Sequence, residues 1–473
     1  MLVPVVLGVA LALGGPGDAA PPAAARDAAA RVRPGAAYAW LAAYQERFPG
    51  RTPDTRAHAA SPAFVEEALR AAGASDVRRE TFAAPAGRRA PLVNVHARIP
   101  GTDASHAVVL VAHHDVVVGA PGAIDDGGAV AALVEAAHAL ASGPPPACDV
   151  EIAIVDGEEW GCLGSKAHVD ALGDAGRARV RAALAVELVG WTRDRLVVHT
   201  LPYGFAWDAA GVAPAWLPQA VVAAGDAADV AVGVGDPLLA PWAQATVRVL
   251  GLATGGDDGA YLERGVPACM LSGSSLTNFY RGYHRETDAL AEVDAARLDD
   301  ATRVIAAAAV TLAAVPAADA SRELGDAYVL VGARHLGHGA LVLLALAAAV
   351  PALLAAKRLS AGGARVAAAS LAACALLTCV LAALGSVAGV VAGVPFVTLA
   401  ALATALPRKP RVLVLLAAEI PALVQLVISV AALLVFGRGW RAPPVETALL
   451  LALAAAVLVA TLTVRRAPPP PVE

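Results

Sequence analysis

The sequence predicts an α/β fold, a mostly parallel mixed sheet with helices on both faces, followed by an all-α transmembrane bundle. Three observations predict it. Between Pro34 and Pro316, apolar runs of strand length alternate with helical stretches, the pattern of β-α-β units and a covered parallel sheet. From about residue 338 to residue 466 the chain is almost continuously apolar, broken by short basic or Gly/Pro clusters. The chain as a whole is 58% hydrophobic with a mean hydropathy of +0.60, too apolar for an ordinary soluble protein.

Residues 1–25 read as a signal peptide or signal anchor: the apolar run 2–14 is short for the ~20 residues of a spanning helix, and small and Pro-rich residues follow it. The segment 34–316 then forms one catalytic-sized domain. Its readable units are a helix opened by Ser61 (61–73), strands at 92–99 and 107–113, a helix at 128–141, a strand at 151–156, a helix at 164–172, and strands at 182–190 and 195–200. In folds of this kind ligands bind beyond the carboxyl ends of the strands, where this chain keeps its polar motifs.

A juxtamembrane linker (317–337) leads into a five-helix transmembrane domain (338–466), with helices near 339–356, 365–384, 387–406, 411–436 and 444–464, and a short tail (467–473). Lys357, Arg358 and Arg365, then Arg408, Lys409 and Arg411, then Arg465 and Arg466 fall on one side, and Arg438 and Arg441 on the other. The excess of basic residues places the first group and the C-terminus in the cytoplasm, with the 34–316 domain on the extracytoplasmic side of the cell membrane. Glu419 and Gln425 inside the fourth helix read as packing groups, since Glu419 lies near Arg411.

The net charge of −5 is spread along the chain with no clustered basic face, which excludes a nucleic-acid surface. Five cysteines, Cys148, Cys162, Cys269, Cys374 and Cys379, give no readable disulfide framework and read as small buried apolar residues.

Five motifs follow one another in the first domain: His113-His114-Asp115, Ile124-Asp125-Asp126-Gly127, Gly157-Glu158-Glu159-Trp160-Gly161, Val186-Glu187-Leu188 and Tyr283-His284-Arg285. Each is weak alone. Together they supply what a pair of zinc ions requires, a bridging carboxylate plus one imidazole and one further carboxylate for each ion. Asp125 is the candidate bridge, with His113 and Glu187 for one metal and Glu159 and His284 for the other. Glu158 is then free to act as general base, taking a proton from a zinc-bound water that is already acidified toward neutrality. Asp115 is suited to hydrogen-bond the second nitrogen of His113 and fix its tautomer.

With these residues in place the chain resembles metallopeptidase family twenty-eight, the co-catalytic di-zinc exopeptidases that include secreted bacterial leucyl aminopeptidases, glutamate carboxypeptidase and vacuolar membrane proteases. The resemblance covers residues 38–315. It includes the twelve-residue step from His113 to Asp125, the segment 256–268 with Asp257, and Arg51-Thr52 with the helix after them. It implies the zinc exopeptidase fold, two zinc ions per chain, and peptides or small proteins as substrates. Glu187 stands where most soluble aminopeptidases of that family have Asp. In this it is similar to the membrane-bound branch, which also carries a hydrophobic multi-helix part that would sit in the lipid bilayer, and to the glutaminyl cyclases.

The resemblance therefore implies a zinc-dependent exopeptidase, an aminopeptidase ahead of the alternatives: a carboxypeptidase-type or glutaminyl-cyclase-type zinc enzyme, or a non-catalytic receptor or scaffold. A lid-bearing carboxypeptidase is disfavoured by the short interval from Glu187 to His284. A transporter is disfavoured by helices that offer little to a polar substrate. Glu158 and Glu187 could hold a free amine, whereas Arg193, Arg195, Arg281 and Arg285 could hold a carboxylate. The aromatic residues Trp160, Trp191 and Tyr261 lie near the motifs and read equally as core.

Overall fold

The computed structural model describes residues 13–14, 22–84, 91–199, 213–234, 256–275 and 278–316, then parts of 329–336 and 338–420, and the segment 444–464. Most of the run 2–14, much of the linker, nearly all of the fourth apolar helix with Glu419 and Gln425, and the tail lie outside the described residues.

The first unit comprises, in chain order, α1 (Ala23–Ala30), α2 (Ala36–Arg47), α3 (Arg56–Ala71), β1 (Ser75–Phe82), β2 (Leu92–Ile99), β3 (Ala107–His113), α4 (Gly128–Ala141), β4 (Asp149–Val155), α5 (Leu163–Ala171), α6 (Gly173–Arg179), β5 (Val180–Glu187), β6 (Val197–His199), α7 (Trp216–Ala227), β7 (Gly233–Val234), α8 (Asp257–Leu262), β8 (Ala268–Ser272) and α9 (Ala295–Ala314). The eight strands form one mixed sheet in the order β1-β2-β4-β3-β5-β8-β6-β7. The central pairs β3/β4, β3/β5 and β5/β8 are parallel, as is β6/β7 at one edge. The pairs β1/β2, β2/β4 and β6/β8 are antiparallel.

Every residue of β3 is buried, because both faces of the sheet are covered. The period of two divides its side chains between two cores. Val108, Leu110 and Ala112 pack with the Ala-rich helices α4 and α9, while Val109 and Val111 pack with Val155, Tyr261 and Leu262 on the opposite face. The small Ala side chains of α4 and of the C-terminal part of α9 let these helices lie buried against the strands and against each other.

Helix α3 begins earlier than its Ser61-Pro62 signal suggests. Thr55 is the N-cap, its side chain accepting the backbone N–H of His58, and Pro62 lies inside the helix. Pro62 has no N–H to give to the carbonyl of His58 four residues back, and the Ser61 hydroxyl donates to that carbonyl instead at 3.1 Å. Strand β5 ends at Glu187 rather than at 190, because Leu188 turns into the left-handed region with φ 55°. Helix α1, in a stretch expected to lie outside the domain, buries Ala25, Ala28 and Ala29 in the same core as α4. The five cysteines form no disulfide among the described residues.

Under the sheet, the ring of His168 (α5) lies 4.6 Å from that of His96 (β2), and its Nδ1 is 2.7 Å from the Tyr261 hydroxyl. Burial, helped by His96, pushes the His168 pKa down from 6.5 to about 3. The folded state thus keeps a neutral ring where the unfolded chain binds a proton. The resulting stability is present above pH 6.5 and is lost as pH falls toward 3. Thermal unfolding of His168→Gln should show a shallower fall of Tm over this window than the wild type; an unchanged slope would assign the acid sensitivity to other groups.

C-terminal to this unit lie α10 (His338–Ala361), α11 (Arg365–Ala383), α12 (Val387–Ala403) and α13 (Pro444–Val464). Among the described residues, two helices are long and apolar enough to cross a membrane, Gly339–Ala361 and Arg365–Ala383. Gly393–Ala403 and Leu449–Val464 are shorter apolar helices. These helices share a small-residue core of their own that includes Ala352, Cys374, Ala375 and Ala400.

Candidate metal centre

The parallel register brings the ends of β3, β4 and β5 to one edge of the sheet, and each of those ends carries a candidate donor. His113 is the last residue of β3 and pairs with Val155, two residues before the loop that holds Glu158 and Glu159, while Glu187 ends β5. Asp125 enters from the loop before α4, and His284 from the loop after β8. His284 is held in the left-handed region, φ 57°, with the Tyr283 ring stacked on its imidazole at 3.7 Å.

The side chains meet. His113 Nε2 lies 3.3 Å from Asp125 Oδ1, and His284 Nε2 lies 3.5 Å from Asp125 Oδ2 and 3.0 Å from Glu159 Oε2. One donor atom each from His113, Asp125 and Glu159 falls within 4.8 Å of the others. Glu158 directs Oε2 toward His113 Nε2 at 4.0 Å, and its Oε1 is 3.6 Å from the Cys162 thiol. A Cβ added to Gly256 would lie 3.6 Å from Glu187 Oε2, so the backbone passes close beside that carboxylate.

Three of these donors are buried polar atoms with no hydrogen-bond partner among the described residues: His113 Nε2, Asp125 Oδ2 and Glu159 Oε1. Buried lone pairs without a partner are costly unless something electrophilic meets them. Burial raises the pKa of Glu158 well above its ordinary value, with Glu187, Asp257 and Glu159 adding repulsion. Burial and the Asp125 charge raise Glu187 to about 8. Burial raises Asp257 to about 6, against the Ser165 hydroxyl that donates to it at 2.6 Å. Carboxylates crowded around two imidazoles, with their free lone pairs turned inward, fit divalent cations.

Asp115 differs from expectation. The His113 Nδ1–H finds the main-chain carbonyl of Asp115 at 3.1 Å, and the Asp115 carboxylate is 3.5 Å away. A two-residue step at the end of an extended strand brings the carbonyl nearer the ring than the side chain. The carboxylate instead accepts the backbone N–H groups of Glu158 at 3.1 Å and Glu159 at 3.3 Å, and so orients the loop that bears them.

Other positioning groups carry no ligand signature in the sequence. Asp126 accepts the backbone N–H of His113 and of Leu188, both at 3.3 Å, joining β3 to the end of β5. Arg51 is fully buried, donates to the carbonyls of His114 and Gly122, and stacks over Tyr44 at 4.5 Å. Asp288 accepts from Ile124 and Asp125. A second cluster, His58, His114 and Asp156, is committed to hydrogen bonds: His58 Nε2 to Asp156 at 2.7 Å, Val93 N–H to Asp156 at 2.7 Å, and His114 Nε2 to the Val93 carbonyl at 2.9 Å. It braces the strands behind the centre.

An α/β sheet whose carboxyl edge gathers acid and imidazole donors within reach of one another offers a place for a divalent cation. Residues 94–309 match the model of peptidase family M28. Leupeptin-inactivating enzyme 1 of Streptomyces exfoliatus is 29% identical over 226 residues, 47% of this chain and 48% of that protein, so the chain spans about half the length of this curated relative. The LapA aminopeptidase of Legionella pneumophila is similar in fold, with a TM-score of 0.50 and 16% identity over 61% of this chain and 74% of that one. LapB of Legionella pneumophila is likewise similar, with a TM-score of 0.50 and 15% identity over 64% of this chain and 79% of that one.

Proposed function

We propose that the chain is a membrane-anchored zinc aminopeptidase. The observation that carries this reading is the meeting of His113, Asp125 and Glu159 with their free lone pairs turned into one buried space, and with Glu158 standing beside them. His113 and Glu187 would hold one zinc, Glu159 and His284 the other, and Asp125 would bridge them. Bound zinc supplies Lewis acidity, polarising the substrate carbonyl and acidifying a water. Glu158 Oε2 would take a proton from an attacking water and return it to the leaving amine, while its Oε1 accepts from the Cys162 thiol. The acidic groups crowded at the site suit the free ammonium of a peptide N-terminus better than a free carboxylate.

The reading also comprises an N-terminal export signal within residues 1–25, an exopeptidase domain that includes 34–316, and a membrane domain over 338–466 with the peptidase on the extracytoplasmic side. Support for the membrane part comes from the two long apolar helices and from large apolar side chains that face outward on them, among them Leu343, Leu353 and Leu376.

The full chain, purified in detergent, should release the chromophore from aminoacyl anilides when zinc is added and should lose that activity to a chelator. Zinc bound without anilide release would turn the assignment toward carboxypeptidase or cyclase substrates. A chain that binds no zinc would overturn the enzyme reading in favour of a receptor or scaffold.

A further inference from the structure

Asp288 belongs to none of the five motifs, yet it sits where two of their segments meet. It is fully buried. Its Oδ1 accepts the backbone N–H of Ile124 at 2.8 Å, and its Oδ2 accepts the backbone N–H of Asp125 at 3.1 Å. Its own carbonyl accepts the N–H of Ala123 at 3.1 Å, so three consecutive amides of the segment that carries the shared carboxylate end on one residue. The Tyr280 hydroxyl donates to Oδ1 at 3.0 Å from the other side and fixes the orientation of the carboxylate. Asp288 lies one short turn beyond His284, and the N–H of Asp288 returns to the carbonyl of Arg285 at 3.0 Å. The segment bearing His284 is thereby tied directly to the segment bearing Asp125, although 158 other residues separate them in the chain.

We infer that Asp288 is a positioning residue that locks the Asp125 and His284 segments into one unit, so that the two donors are held at metal-binding distance before any metal arrives. The inference rests on the metal-centre reading above. The physical basis is that a carboxylate accepting two consecutive amides fixes both peptide planes, and with them the direction of the Asp125 side chain. His284 is the most exposed of the proposed ligands, with a side chain 38% accessible, held by the Tyr283 ring and by Glu159 at 3.0 Å. Without the tie, its loop must be ordered by the metal itself, and that ordering lowers affinity.

The test measures zinc affinity of the full chain in detergent by competition with a chelating dye, alongside the melting temperature of the metal-free protein. Asp288→Ala should bind zinc about 10- to 100-fold more weakly than the wild type, the range typical of groups that orient metal ligands. Asp288→Asn should fall between them, since it keeps one acceptor and loses the other. Tyr280→Phe should keep affinity within a few-fold, because both amide contacts remain. Glu135→Ala is the control for a purely structural loss: Glu135 is also a buried carboxylate that accepts a backbone amide, that of Arg33, at 2.9 Å, away from the centre. It should lower the metal-free melting temperature and leave zinc affinity unchanged. Asp288 variants that behave like Glu135→Ala overturn the inference while the metal centre stands. A wild type that binds no zinc overturns the metal-centre reading itself, and this inference with it. Should Asp288→Ala fail to fold, Asp288→Asn and Tyr280→Phe decide by the same affinity measurement.

Discussion

Glu158→Gln should lower kcat by about 10²- to 10⁴-fold, the range for loss of a positioned general base, while zinc content and KM stay near their wild-type values. The amide has the size of the carboxylate and keeps an oxygen for the Cys162 thiol, but it cannot take a proton from water. Its nitrogen would face His113 in place of Oε2, which lies 4.0 Å from Nε2, so the substitution does not reach into the space shared by the proposed ligands. In the metal-free chain burial and its acidic neighbours raise the Glu158 pKa, and bound cations would offset that rise and leave the carboxylate free to accept a proton. Steady-state kinetics with a zinc assay on the same sample checks both halves of the expectation. Activity reduced less than tenfold would remove Glu158 from the mechanism, and activity lost together with zinc would make it a ligand instead.

Much of this architecture was legible because the sequence repeats itself in physics. The run AVVLVAH at 107–113 and the helix at 128–141 end where the structure ends them, since an uninterrupted apolar strand and an Ala-rich helix admit few alternatives. Strand β1 was not legible: SDVRRETF alternates in exposure at the sheet edge and carries little apolar signal. The start of α3 was misplaced because Ser61-Pro62 imitates a capped N-terminus, while the true cap, Thr55, precedes a stretch of mixed polarity. In the centre, the candidate donors His113, Asp125, Glu159 and His284 were proposed because their chemistry is local to a motif, and their side chains lie close together. The roles of Asp126 and Asp288 could not be read, because each is defined by which backbone amides it accepts across the fold. The one available hint was the spacing of Asp288 four residues after His284, which places both in one loop.

Asp125→Ala should weaken zinc binding by more than about 10²-fold, the upper end of what altering a group that merely orients a ligand costs, because a bridging carboxylate serves both ions at once. The same substitution should leave the metal-free protein about as stable as the wild type. Asp125 is buried among Glu159, Glu187 and two imidazoles; its charge adds to the burial that lifts Glu187 to about 8 but favours the protonated rings of His113 and His284, so in the absence of a cation its repulsion and attraction offset each other. Its Oδ2 also lacks a hydrogen-bond partner among the described residues, which makes removal of that oxygen a relief to the metal-free state. With zinc present the two proteins separate. A ligand that binds the folded state stabilises it by RT ln(1 + [L]/Kd), so saturating zinc should raise the wild-type Tm by far more than that of the variant. Melting curves of both proteins, with zinc and with chelator, give the four temperatures needed. Equal zinc-induced shifts would remove Asp125 from the bridge, whereas a metal-free variant that melts well below the wild type would make the acidic cluster a part of the scaffold rather than a site kept for the metal.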